Sequence, residues 1–301
     1  MKTKMWMIGS LLLASVLITA CSDDDAARGR VKLYLTDAPV DGANVDALFL
    51  AVTRIEMKGS GNWVTVKEFE TPLSIDILDY QNGNSFFVTE EWLNADTYTE
   101  ARLILSATEE GGAPKSNPGC YLLMKDGTKK ELFVPSGAQS GYKLKGSFTV
   151  PPDGTVAVTL DFDARKSVVS AGNSGKMLLK PTVRLVANQE AALLEGNFAE
   201  HSAYSKVVVY AYEKGTFSTS EAAEPASGET RFKNAISSAL VNNEGEFTLA
   251  FMTAGEYDLV FAAHNAEGEF VDLLGKYEDV TLAAGARLDV YVSLSLLIEL
   301  N

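Results

Sequence analysis

The aspartates of the first half of the chain come nearest, by type and spacing, to a chemical site. Asp161 and Asp163 stand two apart in an alternating run, so on a strand both point to one face. Asp37 ends an earlier run of the same kind and Asp41 follows it shortly. Carboxylates gathered this way can hold Ca²⁺ together with carbonyl oxygens. The structural reading is the better one, with Asp37 capping a turn by accepting from nearby N–H groups and Asp163 pairing with Lys166 or Arg102. Two carboxylates about 5–9 Å apart also suit glycoside hydrolysis, but no aromatic-rich cleft is legible around this pair. Ser136 and Ser140, beside Gly137 and Gly141, resemble exposed nucleophiles. The only histidines are His201 and His264, so the first half has no base to activate a serine. A tight glycine-supported loop is the expectation there. No EF-hand spacing, phosphate loop or dinucleotide fingerprint is present, and the expectation is a protein that is not an enzyme.

Cysteine offers a different chemistry. Lys2 and Lys4 precede an apolar run, Met5 to Ala20, which ends at Cys21. A basic start, an apolar middle and a small-residue end describe a secretory signal. The run falls short of the roughly 18–20 residues that span a bilayer. Leu17-Ile18-Thr19-Ala20-Cys21 resembles the lipobox of bacterial lipoproteins. That resemblance implies cleavage before Cys21 and diacylglyceryl modification of its thiol, so that acyl chains tether the mature chain to a membrane. Ser22 after the cysteine resembles lipoproteins sent to the outer membrane. Asp23-Asp24-Asp25 resembles the surface-export signal of some Gram-negative lipoproteins, or is simply a self-repelling, extended tether. With Cys21 acylated, Cys120 has no disulfide partner within the chain. Its apolar setting, Gly119-Cys120-Tyr121-Leu122-Leu123, predicts a buried structural thiol.

The formal charge of the 301-residue chain is −14, and it falls to −16 when the two signal lysines leave with residues 1–20. Nucleic acid needs a basic face, so it is excluded as a partner. The overall balance also argues against anionic membrane surfaces and allows cationic partners or divalent cations. The membrane is reached through the lipid anchor.

Short runs rich in Val, Thr, Tyr and Phe, punctuated by Gly, Asn, Asp and Pro, predict an all-β chain. Strands are expected at 31–36, 45–57, 63–69, 73–78, 97–105, 122–124, 131–134, 142–150, 156–162 and 177–186. Asp126-Gly127 marks a hairpin between 122–124 and 131–134. Trp92, after Glu90-Glu91, falls in a loop-like or short helical stretch. A second series follows at 207–212, 235–241, 246–251, 256–263 and 288–297, with a loop or short helix at 218–228 and a last core strand through Leu294–Leu300. The predicted organisation is a signal at 1–20, a lipidated acidic tether at 21–30, a β-sandwich at 31–188 and a second at 189–301. Trp63, Trp92, Tyr80, Tyr98, Tyr121 and Tyr142 are candidates for an exposed sugar platform, although aromatics more often fill a core.

Residues 31–186 carry a spaced set of patterns: Tyr34-Leu35-Thr36-Asp37-Ala38-Pro39, Trp63, Gly83, Thr97-Tyr98-Thr99 to Arg102-Leu103, Val134-Pro135-Ser136-Gly137 with Ser140-Gly141, Leu160-Asp161-Phe162-Asp163-Ala164, Lys166-Ser167-Val168 and Leu179-Lys180-Pro181. Together these resemble a bacterial lipoprotein domain family of unknown function, which implies an extracytoplasmic β-sandwich and no established chemistry. Gly245-Glu246-Phe247-Thr248-Leu249, followed by Ala254-Gly255-Glu256-Tyr257-Asp258-Leu259-Val260, is similar to the transthyretin-like sandwich of carboxypeptidase regulatory domains. Such domains act as spacers or stalks. The expected function is a surface lipoprotein that binds or adheres to a protein or glycan, with a structural role in an envelope or pilus-like assembly as the alternative and a glycan-active enzyme behind both.

Overall fold

The computed structural model describes residues 27–38, 44–135 and 142–300. Cys21, Ser22, Asp23, Asp24, Asp25, Asp41, Ser136 and Ser140 lie outside the described residues. The chain is mostly β, in several sheets. The first unit contains β1 (Arg28–Ala38), β2 (Val45–Lys58), β3 (Trp63–Asp76), β4 (Phe86–Asn94), β5 (Thr97–Leu105), β6 (Thr108–Glu109) and β7 (Tyr121–Met124). It continues with β8 (Lys129–Val134), β9 (Tyr142–Thr149), β10 (Thr155–Asp163), the single helical turn α1 (Ala164–Ser167), β11 (Val168–Ser170), β12 (Met177–Leu179) and β13 (Val183–Ala187). The second contains β14 (Ala192–Phe198), β15 (Lys206–Glu213), β16 (Ser237–Leu240), β17 (Glu246–Met252), β18 (Gly255–His264), β19 (Phe270–Leu282) and β20 (Arg287–Val292). No helix among the described residues is long and apolar enough to cross a membrane.

Alternation builds the first unit. In β1, Val31, Leu33 and Leu35 are buried while Arg30, Lys32 and Tyr34 face out. β1 lies between β10, its parallel partner, and β4, its antiparallel partner. The strands run β11-β12-β8-β7-β2-β5-β9-β13-β10-β1-β4, with β3 on the other edge of β2. One residue pair, Arg184 with Lys145, joins β13 to β9. Leu33, Leu50, Ile55, Leu103, Leu160 and Phe162 meet in one core.

In the second unit, β17-β14-β20 form one sheet and β16-β15-β18-β19 another. Leu194, Phe198, Phe247 and Val292 of the first sheet share a core with Val209, Leu259, Phe261 and Val280 of the second. The opposite face of β15 and β18 carries a smaller core in which Tyr210, Tyr212, Val260 and Ala262 are covered by Phe232 and Ala235. Tyr210 stacks on Phe232 with ring centroids 4.1 Å apart. At Gly196, a Cβ would fall 2.2 Å from the ring of Phe247, its cross-strand partner on β17, so glycine leaves the room that ring occupies.

The structure corrects several expected elements. The runs at 63–69 and 73–78 join into one strand, β3, which ends at Asp76 before a 3-10 turn at Ile77–Asp79, because Pro72 sits on an edge strand where its missing N–H costs no ladder bond. The run at 177–186 is two strands. Pro181 interrupts it, and the chain passes from pairing with β8 to pairing with β10. Trp92 lies in a strand, β4, whose Glu90 and Glu91 are paired with Arg30 and Lys67. Leu294–Leu296 form a 3-10 turn and only Ile298 bridges, to Lys276, so Leu294–Leu300 is not a core strand. β11 and the 13-residue β19 lie outside the expected set.

Candidate functional site at the seam between the units

The parallel register of β1 and β10 sets Thr36 beside Asp161 and Ala38 beside Asp163. The expected aspartates Asp37, Asp161 and Asp163 are thereby brought to one buried corner, where the first unit meets the second. Asp163 caps α1: its Oδ1 accepts from the Lys166 amide at 3.1 Å, and its carbonyl accepts from Ser167 Oγ at 2.6 Å. Asp37 accepts from the Ala164 amide at 2.9 Å and from Gln81 Nε2 at 3.1 Å. Asp161 is paired with Arg184.

The turn capped by Asp163 carries two cations into the second unit. Arg165, with only 3% of its side chain exposed, pairs with Asp163 at 3.2 Å. Its Nη1 donates to the carbonyl oxygens of Arg231 at 3.0 Å and Phe232 at 2.8 Å. Its guanidinium lies 5.3 Å from the centre of the Tyr210 ring. Lys166 donates to the carbonyl of Ala235 and approaches Asp163 at 3.5 Å. Asp161 and Asp163 thus face three cations, Arg184, Arg165 and Lys166, while Asp37 is held by amide N–H groups. Buried charges persist when paired and hydrogen-bonded in this way.

Burial raises the Asp37 carboxyl well above the usual carboxylate range, and neighbouring Asp163 and Asp161 add to the effect. Burial also raises Asp161, against the opposing pull of Arg184. It lowers the Lys166 ammonium, against the opposing attraction of Asp163. Beside this corner is a crevice lined by Asp37, Asn82, Asp161, Ser237, Ser238 and Phe251, with room for about one water molecule (≈ 10 Å³). Asn82 and Phe251 line it at positive φ, 55° and 52°.

Chemically, this corner is a brace. Each of the three carboxylates is bonded to an amide, a guanidinium or an ammonium of the protein itself. Among the described residues, no group of three or more His, Cys, Asp or Glu is placed to hold a metal ion. Asp163 takes Lys166 as its expected partner and not Arg102, which is held by Glu56 on β2. His264 is buried between Tyr210 and the carbonyl of Gly268, far in sequence from any serine of the first unit. The Cys120 thiol is fully buried and accepts from the Ala51 amide at 3.4 Å, and burial pushes its pKa up to about 11. The aromatic candidates separate. Tyr98 is in the core, Tyr80 packs on it, Trp63 lies under Arg102, and Trp92 is 48% exposed. Sequence reasoning missed Arg165, because nothing local marks an arginine whose partners are backbone carbonyls 66 and 67 residues away.

These features define a mostly β, multi-sheet protein whose first unit is locked to its second by a buried ionic corner. The chain belongs to the family described as "Domain of unknown function (DUF4382)", whose model matches residues 28–181. No curated protein matches it. Among solved structures, the Bacillus anthracis TIE protein is similar at 9% identity and a TM-score of 0.21, over 88% of this chain and 34% of that one. GBS52, the minor pilin of Streptococcus agalactiae, matches at 11% identity and a TM-score of 0.21, over 87% of this chain and 94% of that one. A putative adhesin from Bacteroides ovatus matches at 10% identity and a TM-score of 0.21, over 88% of each chain. The chain spans about a third of the first of these. Superpositions this loose do not define a shared fold.

Proposed function

We propose that the protein is a lipid-anchored outer-membrane lipoprotein, exposed at the cell surface, that acts as a non-enzymatic binding or adhesion module. In this reading residues 31–188 and 189–301 are β-sandwiches, the second transthyretin-like. Sheets sharing one core in the second unit support that architecture. The observation that carries the functional reading is the use made of Asp37, Asp161 and Asp163. The residues best suited to chemistry are spent on holding the turn whose Arg165 and Lys166 reach the second unit, so the second unit braces a first unit that presents its surface. Anchoring rests on Cys21 and its preceding Leu17-Ile18-Thr19-Ala20. Mass spectrometry of protein extracted from membranes tests it. An N-terminal peptide beginning at acylated Cys21 is expected, whereas unmodified Cys21 or retained residues 1–20 would refute it.

A second reading, a subunit of an envelope assembly, is favoured by exposed Leu294, Leu296 and Ile298 beside the edge of β19. A concentration-dependent oligomer that dissociates on Leu296→Ser would support it.

A further inference from the structure

The outward face of β1 and β4 differs from the rest of this acidic chain. Arg28, Arg30 and Lys32 alternate along β1 and point away from the core. Opposite them on β4 stand Asn94, Trp92 and Glu90, and one step further Tyr34 faces Phe87. Glu90 pairs with Arg30 at 3.1 Å and Lys32 at 3.8 Å, while Arg28 donates to the Trp92 carbonyl at 2.8 Å. Glu91 turns away and pairs with Lys67. The strip holds three cations against Glu90 on its face, with Asp153 and Asp96 in the turns beside its Arg28 end, in a chain whose formal charge is −14. Trp92 is 48% and Phe87 49% exposed, and the Arg30 guanidinium lies 5.2 Å from the Trp92 ring centre. Arg30 and Tyr34 are four residues apart, so the two aromatic stations are separated by about 13 Å along β1, with a bulge between Leu33 and Tyr34.

We propose that this strip binds an acidic polysaccharide. The inference rests on the reading of the protein as a surface binding module and names its site and ligand class. Charge complementarity selects the ligand: an island of guanidinium and ammonium groups on an acidic protein attracts carboxylate or sulfate and repels little of a chain lying along it. Arginine holds carboxylates with paired N–H donors. The indole of Trp92 and the ring of Phe87 offer flat apolar surfaces on which sugar rings pack, and their spacing suits an extended chain crossing several sugar units. The strip lies on two hydrogen-bonded strands with one bulge, between Leu33 and Tyr34, so its groups are already in place before a ligand arrives.

The test is affinity electrophoresis and calorimetry with the unacylated mature chain, residues 22–301. The probes are polygalacturonate, alginate, hyaluronan and chondroitin sulfate, with neutral amylose and anionic phosphatidylglycerol vesicles alongside. Retardation by at least one acidic polymer and none by amylose is expected, weakening as salt rises. Trp92→Ala, and separately Arg30→Gln with Lys32→Gln, should each weaken binding by about tenfold or more at unchanged melting temperature. No retention on any acidic polymer overturns the proposal, as do variants that bind like the parent. Binding to vesicles in place of polysaccharide would assign the strip to a membrane and also overturn it. Surface exposure of the protein on cells is measured independently, so loss of the strip's ligand leaves the surface reading intact.

Discussion

Arg165→Ala should separate the unfolding of the two units. In the folded protein this guanidinium is 3% exposed, makes two bonds to second-unit carbonyls and pairs with Asp163. Breaking a buried, hydrogen-bonded ion pair costs about 3–5 kcal/mol. Asp163 keeps Lys166 at 3.5 Å and the α1 amide, so the lower end of that range, about 3 kcal/mol, is expected here. The chain carries a natural reporter. Its tryptophans beyond the signal are Trp63 and Trp92, both in the first unit, whereas far-ultraviolet circular dichroism sees both units. In the parent, fluorescence and dichroism should trace one urea transition; in the variant they should part, with the midpoint of at least one falling. Arg165→Met keeps the bulk and removes the charge, and should recover part of the loss by packing on Tyr210 and Phe232. Coincident transitions with unchanged midpoints in Arg165→Ala would refute the seam as the element that couples the units.

Further outcomes follow from the same structure. The raised Asp37 carboxyl binds a proton more tightly folded than unfolded, so its contribution to stability is fully present below the unfolded value near pH 4 and is lost as pH climbs through the folded value. Asp37→Asn should flatten that decline, and urea midpoints measured from pH 4.5 to 8 check it. Cys120, raised to about 11 and buried, should resist thiol reagents at pH 8 in the native chain and react fully in denaturant. Gly196→Ala should destabilise the second unit by about 1–3 kcal/mol through collision with Phe247, and Phe247→Leu in the same chain should relieve part of that loss. Melting curves of the single and double variants measure this.

Much of the fold was legible because alternation is local. Val31, Leu33 and Leu35 announce β1, and Asp126-Gly127 announces the hairpin of β7 and β8. Errors arose where tertiary pairing overrides local signals. Pro72 is harmless only because β3 is an edge, and Glu90 and Glu91 sit in a strand only because cations of β1 and β3 meet them. Asp37, Asp161 and Asp163 were recognised as a group from their positions at the ends of two strands. Their structural use, Asp37 accepting from an amide and Asp163 pairing with Lys166, is legible too, but not the reach of Arg165 and Lys166 to carbonyls of Arg231, Phe232 and Ala235 that only the folded chain brings near.

Protease shaving of intact cells, with a periplasmic protein as control, tests the proposed surface anchoring most directly. The account predicts that the protein is digested while the control survives, and that Cys21→Ala, which can be neither acylated nor cut at the lipobox, is no longer digested on intact cells. Protection of the parent protein on intact cells would contradict the account and place the chain on the inner side of the envelope.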